Sequence, residues 1–71
     1  METLKLREQD EYITLGQLLK AAGLVESGSE AKEVITAGEV SVNGETDTRR
    51  GRKLRDGDVV TFGETEIRVV R

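Results

Sequence analysis

Apolar residues recur along this chain with two different periods. Leu4 and Leu6 alternate with Thr3, Lys5 and Arg7, the two-residue repeat of a short strand that buries one face. A polar, acidic turn follows through Glu8, Gln9, Asp10 and Glu11. The period then lengthens: Leu15, Leu18, Leu19 and Ala22 stand at i, i+3, i+4 and i+7, one stripe of a two-turn helix. Thr14 precedes Gln17 by three residues, the spacing at which a cap and the third helical residue satisfy each other's backbone donors. Gly23 supplies the left-handed stop, and Leu24 is placed to pack back on the last turn. The same grammar repeats at once. Ser27 and Glu30 form a second capping pair with Ser29 as a competing cap, Ala31, Val34 and Ile35 make the apolar stripe, and Gly38 ends the helix.

Helices this short do not hold alone in water, so both must pack on something. The second half of the chain supplies a sheet. Val40 and Val42 alternate with Ser41 and run into Asn43-Gly44, a strong hairpin-turn signal. Beyond a basic segment, Asp56-Gly57 makes another turn. Val59 to Phe62 then reads as a strand, Gly63-Glu64 as a tight reversal, and Glu66 to Val70 as a last strand with an edge open for pairing. The expected fold class is α+β, with two short helices packed on one face of a small, mostly antiparallel four- to five-stranded sheet. The chain holds no repeat, no low-complexity tract and no proline, so residues 1–71 are expected to form one domain. Size scaling expects about 4,400 Å² of folded surface from roughly 11,300 Å² unfolded, enough for one thin core without a deep, walled pocket.

Composition narrows the chemistry. With no Cys and no His there is no disulfide, no thiolate zinc site and no His-based hydrolase triad, and neither a metal nor a cofactor is expected. No apolar run reaches the length that spans a bilayer, and the first residues lack the apolar block of a signal peptide, so a cytoplasmic location without a membrane partner is expected. A net charge of −3 speaks against nucleic acid until its distribution is considered. Residues 1–48 carry 4 basic and 10 acidic side chains, whereas residues 49–71 carry 7 and 4. Five of those basic residues fall in Arg49-Arg50-Gly51-Arg52-Lys53-Leu54-Arg55, which contains no acid. The molecule is bipolar, and local potential decides what a surface attracts.

The basic segment is the first candidate site. Clustered Lys and Arg neutralise phosphates and release counterions. Alternation through Lys53, Leu54 and Arg55 turns Leu54 inward and its neighbours outward, and Gly51 lets the loop bend so that Arg49, Arg50 and Arg52 converge. The competing reading is a solvated loop whose cations pair with Glu45, Asp47, Asp56 and Asp58. The second candidate is Ser27-Gly28-Ser29, where open N–H groups at a helix start and a glycine make room for an anion, with Lys32 and Thr36 one turn on. Against it stand plain capping by the serines and the nearby Glu30 and Glu33. The carboxylate pairs Asp10/Glu11 and Asp56/Asp58 read as solvated turn residues. Tyr12 and Phe62 are the only aromatics, too few for a platform that stacks several splayed bases, so any RNA contact is expected at phosphate, sugar and shape instead.

Two capped helices, then Gly38-Glu39-Val40-Ser41-Val42-Asn43-Gly44, a basic bend and Gly57-Asp58-Val59-Val60 resemble the RNA-binding domain of the ribosomal protein S-four type, also called the αL motif. Ser27 with Ser29-Glu30-Ala31-Lys32, the pair Val34-Ile35 and the G-x-V-x-V-N-G segment carry the likeness, which runs from about Tyr12 to Phe62. The chain looks like a short stand-alone bacterial protein of this type. The resemblance implies binding of structured RNA, ribosomal or transfer RNA, through the helices and the following basic loop. Carried over, that surface corresponds to Ser27, Gly28 and Lys32 on the helix and to Arg49, Arg50, Arg52, Lys53 and Arg55 beyond the hairpin. One departure is Gly28, where many members have Arg, and it shifts weight towards the loop.

The expected protein is a non-enzymatic, monomeric binder of folded RNA that acts by charge and backbone shape, with the ribosome as a partner implied by the resemblance. A rival reading from a different class is a protein-interaction adaptor whose basic loop docks on an acidic partner. An enzyme ranks third, since only carboxylates and Lys remain to do chemistry.

Overall fold

The computed structural model describes residues 1–71. The chain runs through β1 (Glu2–Lys5), β2 (Ile13–Thr14), α1 (Leu15–Ala21), α2 (Gly28–Thr36), β3 (Val40–Val42), β4 (Glu45–Thr46), β5 (Lys53–Leu54), β6 (Val59–Phe62) and β7 (Thr65–Val70).

Both helices begin and end where their caps dictate. Thr14 accepts from the Gln17 N–H, and the Gln17 side chain accepts from the Thr14 N–H at 3.1 Å, a complete capping box. At α2 only half of that box forms. Ser27 Oγ accepts from the Glu30 N–H at 3.1 Å, but the Glu30 carboxylate reaches one residue further back to the Glu26 N–H at 2.7 Å. Ser29 lies inside the helix and does not cap it. Each C-terminus closes with the same pair of bonds. Gly23 and Leu24 donate to the Lys20 and Leu19 carbonyls, and Gly38 and Glu39 donate to those of Ile35 and Val34. This closure needs a left-handed residue just past the helix, and Gly23 and Gly38 supply it at φ of 75° and 80°.

The main sheet has the order β1-β7-β6-β3-β4. Three of its four pairings are antiparallel; β1 runs parallel to β7, with Leu4 opposite Val69. The last strand therefore lies inside the sheet, between β1 and β6, and does not present the open edge expected of it: β1 returns to cover that edge. Asn43 and Gly44, at φ of 53° and 85°, form the two-residue turn between β3 and β4 that suits the twist of a hairpin. A second, two-stranded ribbon pairs β2 with β5, Ile13 opposite Leu54 and Thr14 opposite Lys53.

The core is a single cluster. Leu15, Leu18 and Leu19 of α1 and Ala31 and Ile35 of α2 meet Val40, Val42, Val60, Ile67 and Val69 of the sheet, and Leu54 enters from the ribbon. The whole chain exposes 4601 Å², close to what its mass requires. No helix is long and apolar enough to cross a membrane.

Candidate nucleic-acid interface

The basic segment is held against the start of α1 by backbone bonds. A helix leaves its first N–H groups without intrahelical partners, and here the loop supplies two of the acceptors. The Arg52 carbonyl accepts from the Leu15 N–H at 2.8 Å, and the Arg50 carbonyl accepts from the Gly16 N–H at 3.0 Å. Thr14 serves Gln17, so the first turn of α1 is closed and has no donor left for an anion. Gly16 is what allows the approach: a Cβ there would stand 2.7 Å from Arg50 Cγ. The loop is thus a part of the helix cap, and its side chains radiate from a fixed backbone.

They do not all converge. The arginines expected to gather around the Gly51 bend divide, because Asp47, 6% exposed, draws two of them to one side. Its carboxylate accepts from Arg49 Nε and a second Arg49 guanidinium nitrogen at 3.1 and 2.8 Å, from the Arg49 N–H at 2.9 Å, and from Arg52 at 2.7 Å. These bonds, the Arg49 side chain's first among them, outweigh the opposing cost of burial and hold the Asp47 carboxyl well below the usual carboxylate range. The pairing anticipated for a solvated loop is therefore real for Arg49 and Arg52, and for them alone within the segment.

Arg50 turns the other way, onto the helices. It lines one groove with Ser29, Lys32 and Thr36 of α2, and another with Lys20 of α1 and Gly28. The α2 start differs from that of α1. Ser27 is occupied as the cap, while the Gly28 and Ser29 N–H groups donate to nothing in the protein. Lys32, Gly28 and Arg50, from segments far apart in sequence, are thus neighbours, and Lys20 joins them. Sequence reasoning missed Lys20; the signal was its position four residues after Gly16 on the polar side of α1.

Lys53 and Arg55 form a third group. Leu54 between them is fully buried, as alternation requires, and both cations lie over the Tyr12 ring, 5.1 and 5.7 Å from its centroid. Arg55 is further braced by its N–H, which donates to Asp58 at 2.8 Å. Burial pushes the Asp58 carboxyl up, but that bond and one from the Asn43 amide at 3.0 Å bring it below its ordinary value. Asn43 also accepts from the Val59 N–H at 2.9 Å. The Asn of the V-N-G segment and the Asp before Val59 thus form a brace that ties the hairpin to β6 and fixes where the basic segment ends. Asp56 likewise accepts from the Arg71 N–H at 3.0 Å.

Asp47→Asn is expected to destabilise the protein by about 1–3 kcal/mol, because the amide cannot accept all four bonds. A carboxyl whose pKa is depressed on folding stabilises fully above its unfolded value, near ~4, and loses that contribution as pH falls below it. Thermal melts from pH 7 to pH 2 should therefore show the gap between wild type and variant closing only below about pH 4. A gap that is constant down to pH 2 would contradict the assigned role.

Comparisons with known proteins identify the family and the fold. The probable ribosome maturation protein RlbA of Bacillus subtilis is 58% identical over 60 residues, covering 80% of this chain and 84% of that protein. YbcJ of Escherichia coli, whose solution structure is described as revealing an αL motif involved in RNA-binding, superposes with a TM-score of 0.75 at 37% identity, over 100% of this chain and 89% of that one. The fold alone is shared with the 30S ribosomal protein S4e from Thermoplasma acidophilum, at a TM-score of 0.71, 23% identity, 84% of this chain and 32% of that one. The model of the S4 domain matches residues 4–70, nearly the whole sequence, and this chain belongs to that family.

Proposed function

We propose that this protein is a non-catalytic RNA-binding protein of the cytoplasm that recognises structured ribosomal RNA through phosphate and shape contacts and acts in ribosome assembly or translation. The observation that carries the reading is the docking of Arg50 across α1. It sets a loop cation beside Lys32, Lys20 and the open Gly28 and Ser29 amides, so that two segments which are unremarkable apart make one anion-binding surface. Ser27 holds the helix start in place. Lys53 and Arg55 extend the surface past Tyr12, and Arg49 and Arg52 flank it as partly neutralised cations. The names of the relatives point the same way, towards RNA and ribosome maturation.

The test is a titration with a structured ribosomal RNA fragment, followed by backbone amide NMR shifts at 50 and 200 mM salt. Shifts are expected at residues 27–32 and 49–55, and at Lys20. If about four phosphates are neutralised, affinity should fall roughly a hundredfold between the two salt concentrations. No shift at the lower salt would sink the RNA reading, and the basic loop would then stand as a docking site for an acidic protein.

A further inference from the structure

Outside the arginine surface lies a cleft of about 730 Å³ between β1, the acidic turn and α1. Leu4, Leu6, Ile13 and Ala21 give it an apolar lining, its charged residues are Lys5 and Arg7 with Asp10 and Glu11, and Tyr12 forms a wall. Tyr12 is 39% exposed, one of two large apolar or aromatic side chains so open to solvent; the other is Met1 at the chain end. Neither Lys53 nor Arg55 lines the cleft, although both lie over the Tyr12 ring. Tyr12 is thus shared between the cleft and the two cations.

We propose that the cleft takes a single unpaired nucleotide of the bound RNA, its base stacked on Tyr12 and its flanking phosphates held by Lys53, Arg55 and Lys5. The inference rests on the RNA-binding reading and adds to it a base contact that phosphate and shape recognition does not require. Several features fit such an occupant. The space is of the size that small-molecule sites use, and its lining mixes apolar and polar residues, as a base with its edge and sugar needs. An exposed aromatic stacks any base through its π-face, and cations beside the ring are placed to meet the adjoining backbone. One ring is a site for one base, which agrees with the absence of a second aromatic here: Phe62, the other aromatic of the chain, packs against the core. Recognition by stacking is tolerant of base identity, so a bulge or loop nucleotide in an otherwise paired RNA is the matching target.

The experiment uses the full chain and two RNA hairpins that differ only by one bulged adenosine, with affinity measured at low salt. Wild type is expected to bind the bulged hairpin roughly tenfold more tightly than the bulge-free one. Tyr12→Leu should erase that preference, costing the bulged hairpin about tenfold more than the bulge-free one, which loses only what the ring contributes by bracing Lys53 and Arg55, while Tyr12→Phe retains it. Because Tyr12 is the chain's only tyrosine, its ring protons should also move upfield with the bulged hairpin alone. Equal affinity of wild type for the two hairpins, or an equal loss on both in Tyr12→Leu, overturns the nucleotide site while leaving the RNA reading in place. If wild type binds neither hairpin, the RNA reading itself fails and this inference falls with it.

Discussion

Arg50→Glu is expected to weaken binding to every structured RNA by about ten- to a hundredfold, more than the same change at Arg49 or Arg52. The reason is where each guanidinium already spends its charge. Arg49 and Arg52 are bonded to the buried carboxylate of Asp47, so part of their field is cancelled and their geometry is committed. Arg50 has no acidic partner and stands between the two helices beside Lys32 and Lys20. Its reversal removes a phosphate contact and adds a repulsion, and charge-assisted contacts of this kind are worth about 1.5–3 kcal/mol. The loss should be uniform across RNA sequences, and the salt dependence should flatten by about one phosphate's worth.

An opposite-sign change is available next to it. Nothing lies within 4 Å of a Cβ built on Gly28, whose φ is not in the left-handed range, so Gly28→Arg fits without strain. It should tighten binding by several-fold through one added phosphate contact. Filter binding or anisotropy at two salt concentrations reads both variants. Equal effects of reversal at Arg49 and Arg50 would show that the Asp47 pairing does not decide which cation meets the RNA.

Leu54→Ala carries the largest expected effect on stability. Leu54 is fully buried and is the side chain by which the short ribbon, and with it the basic segment, is anchored in the core. Truncating a buried Leu costs about 2–5 kcal/mol. A chain of this size has a total stability of about 4–11 kcal/mol, so the variant loses a large part of it. The melting temperature should fall by about 10–30 °C, read by circular dichroism. Lys53→Ala, at the exposed neighbouring position, is the control and should melt within a few degrees of wild type. A small shift in Leu54→Ala would mean that the ribbon is not part of the cooperative unit.

Much of this fold was legible residue by residue, where the causes are local. The Thr14 and Ser27 caps, the Gly23 and Gly38 stops and the Asn43-Gly44 turn depend on neighbours within five positions, and each forms where its spacing implies, although Glu30 reaches the Glu26 N–H and leaves the Ser27 box half made. The inward turn of Leu54 followed from alternation alone. Less was legible at the candidate site. Asp47 was visible as one of four acids near the basic segment, but nothing in the order of residues distinguishes it from Glu45, Asp56 or Asp58. Tyr12 was set aside as one aromatic too few for a stacking platform, a reading that took no account of the two cations over its ring. Lys20 carried no signal in the sequence of what would dock beside it.

What the sequence by itself determined, then, is the two helices and their ends, the longer strands, the buried stripes and the presence of a basic segment that contains no acid. These follow from backbone sterics, capping and hydrophobic period, which act over a few residues. Tertiary structure alone decided that β1 returns parallel to β7, that β2 pairs with β5, and that the five cations part into three groups. Each of those outcomes joins residues far apart in the chain or turns on side-chain direction. The partner is chosen by which groups burial leaves in need of one: α1's first amides need acceptors and take the Arg50 and Arg52 carbonyls. The buried carboxylate of Asp47 needs cations and takes Arg49 and Arg52. Arg50 forms no ion pair and is left against the helices.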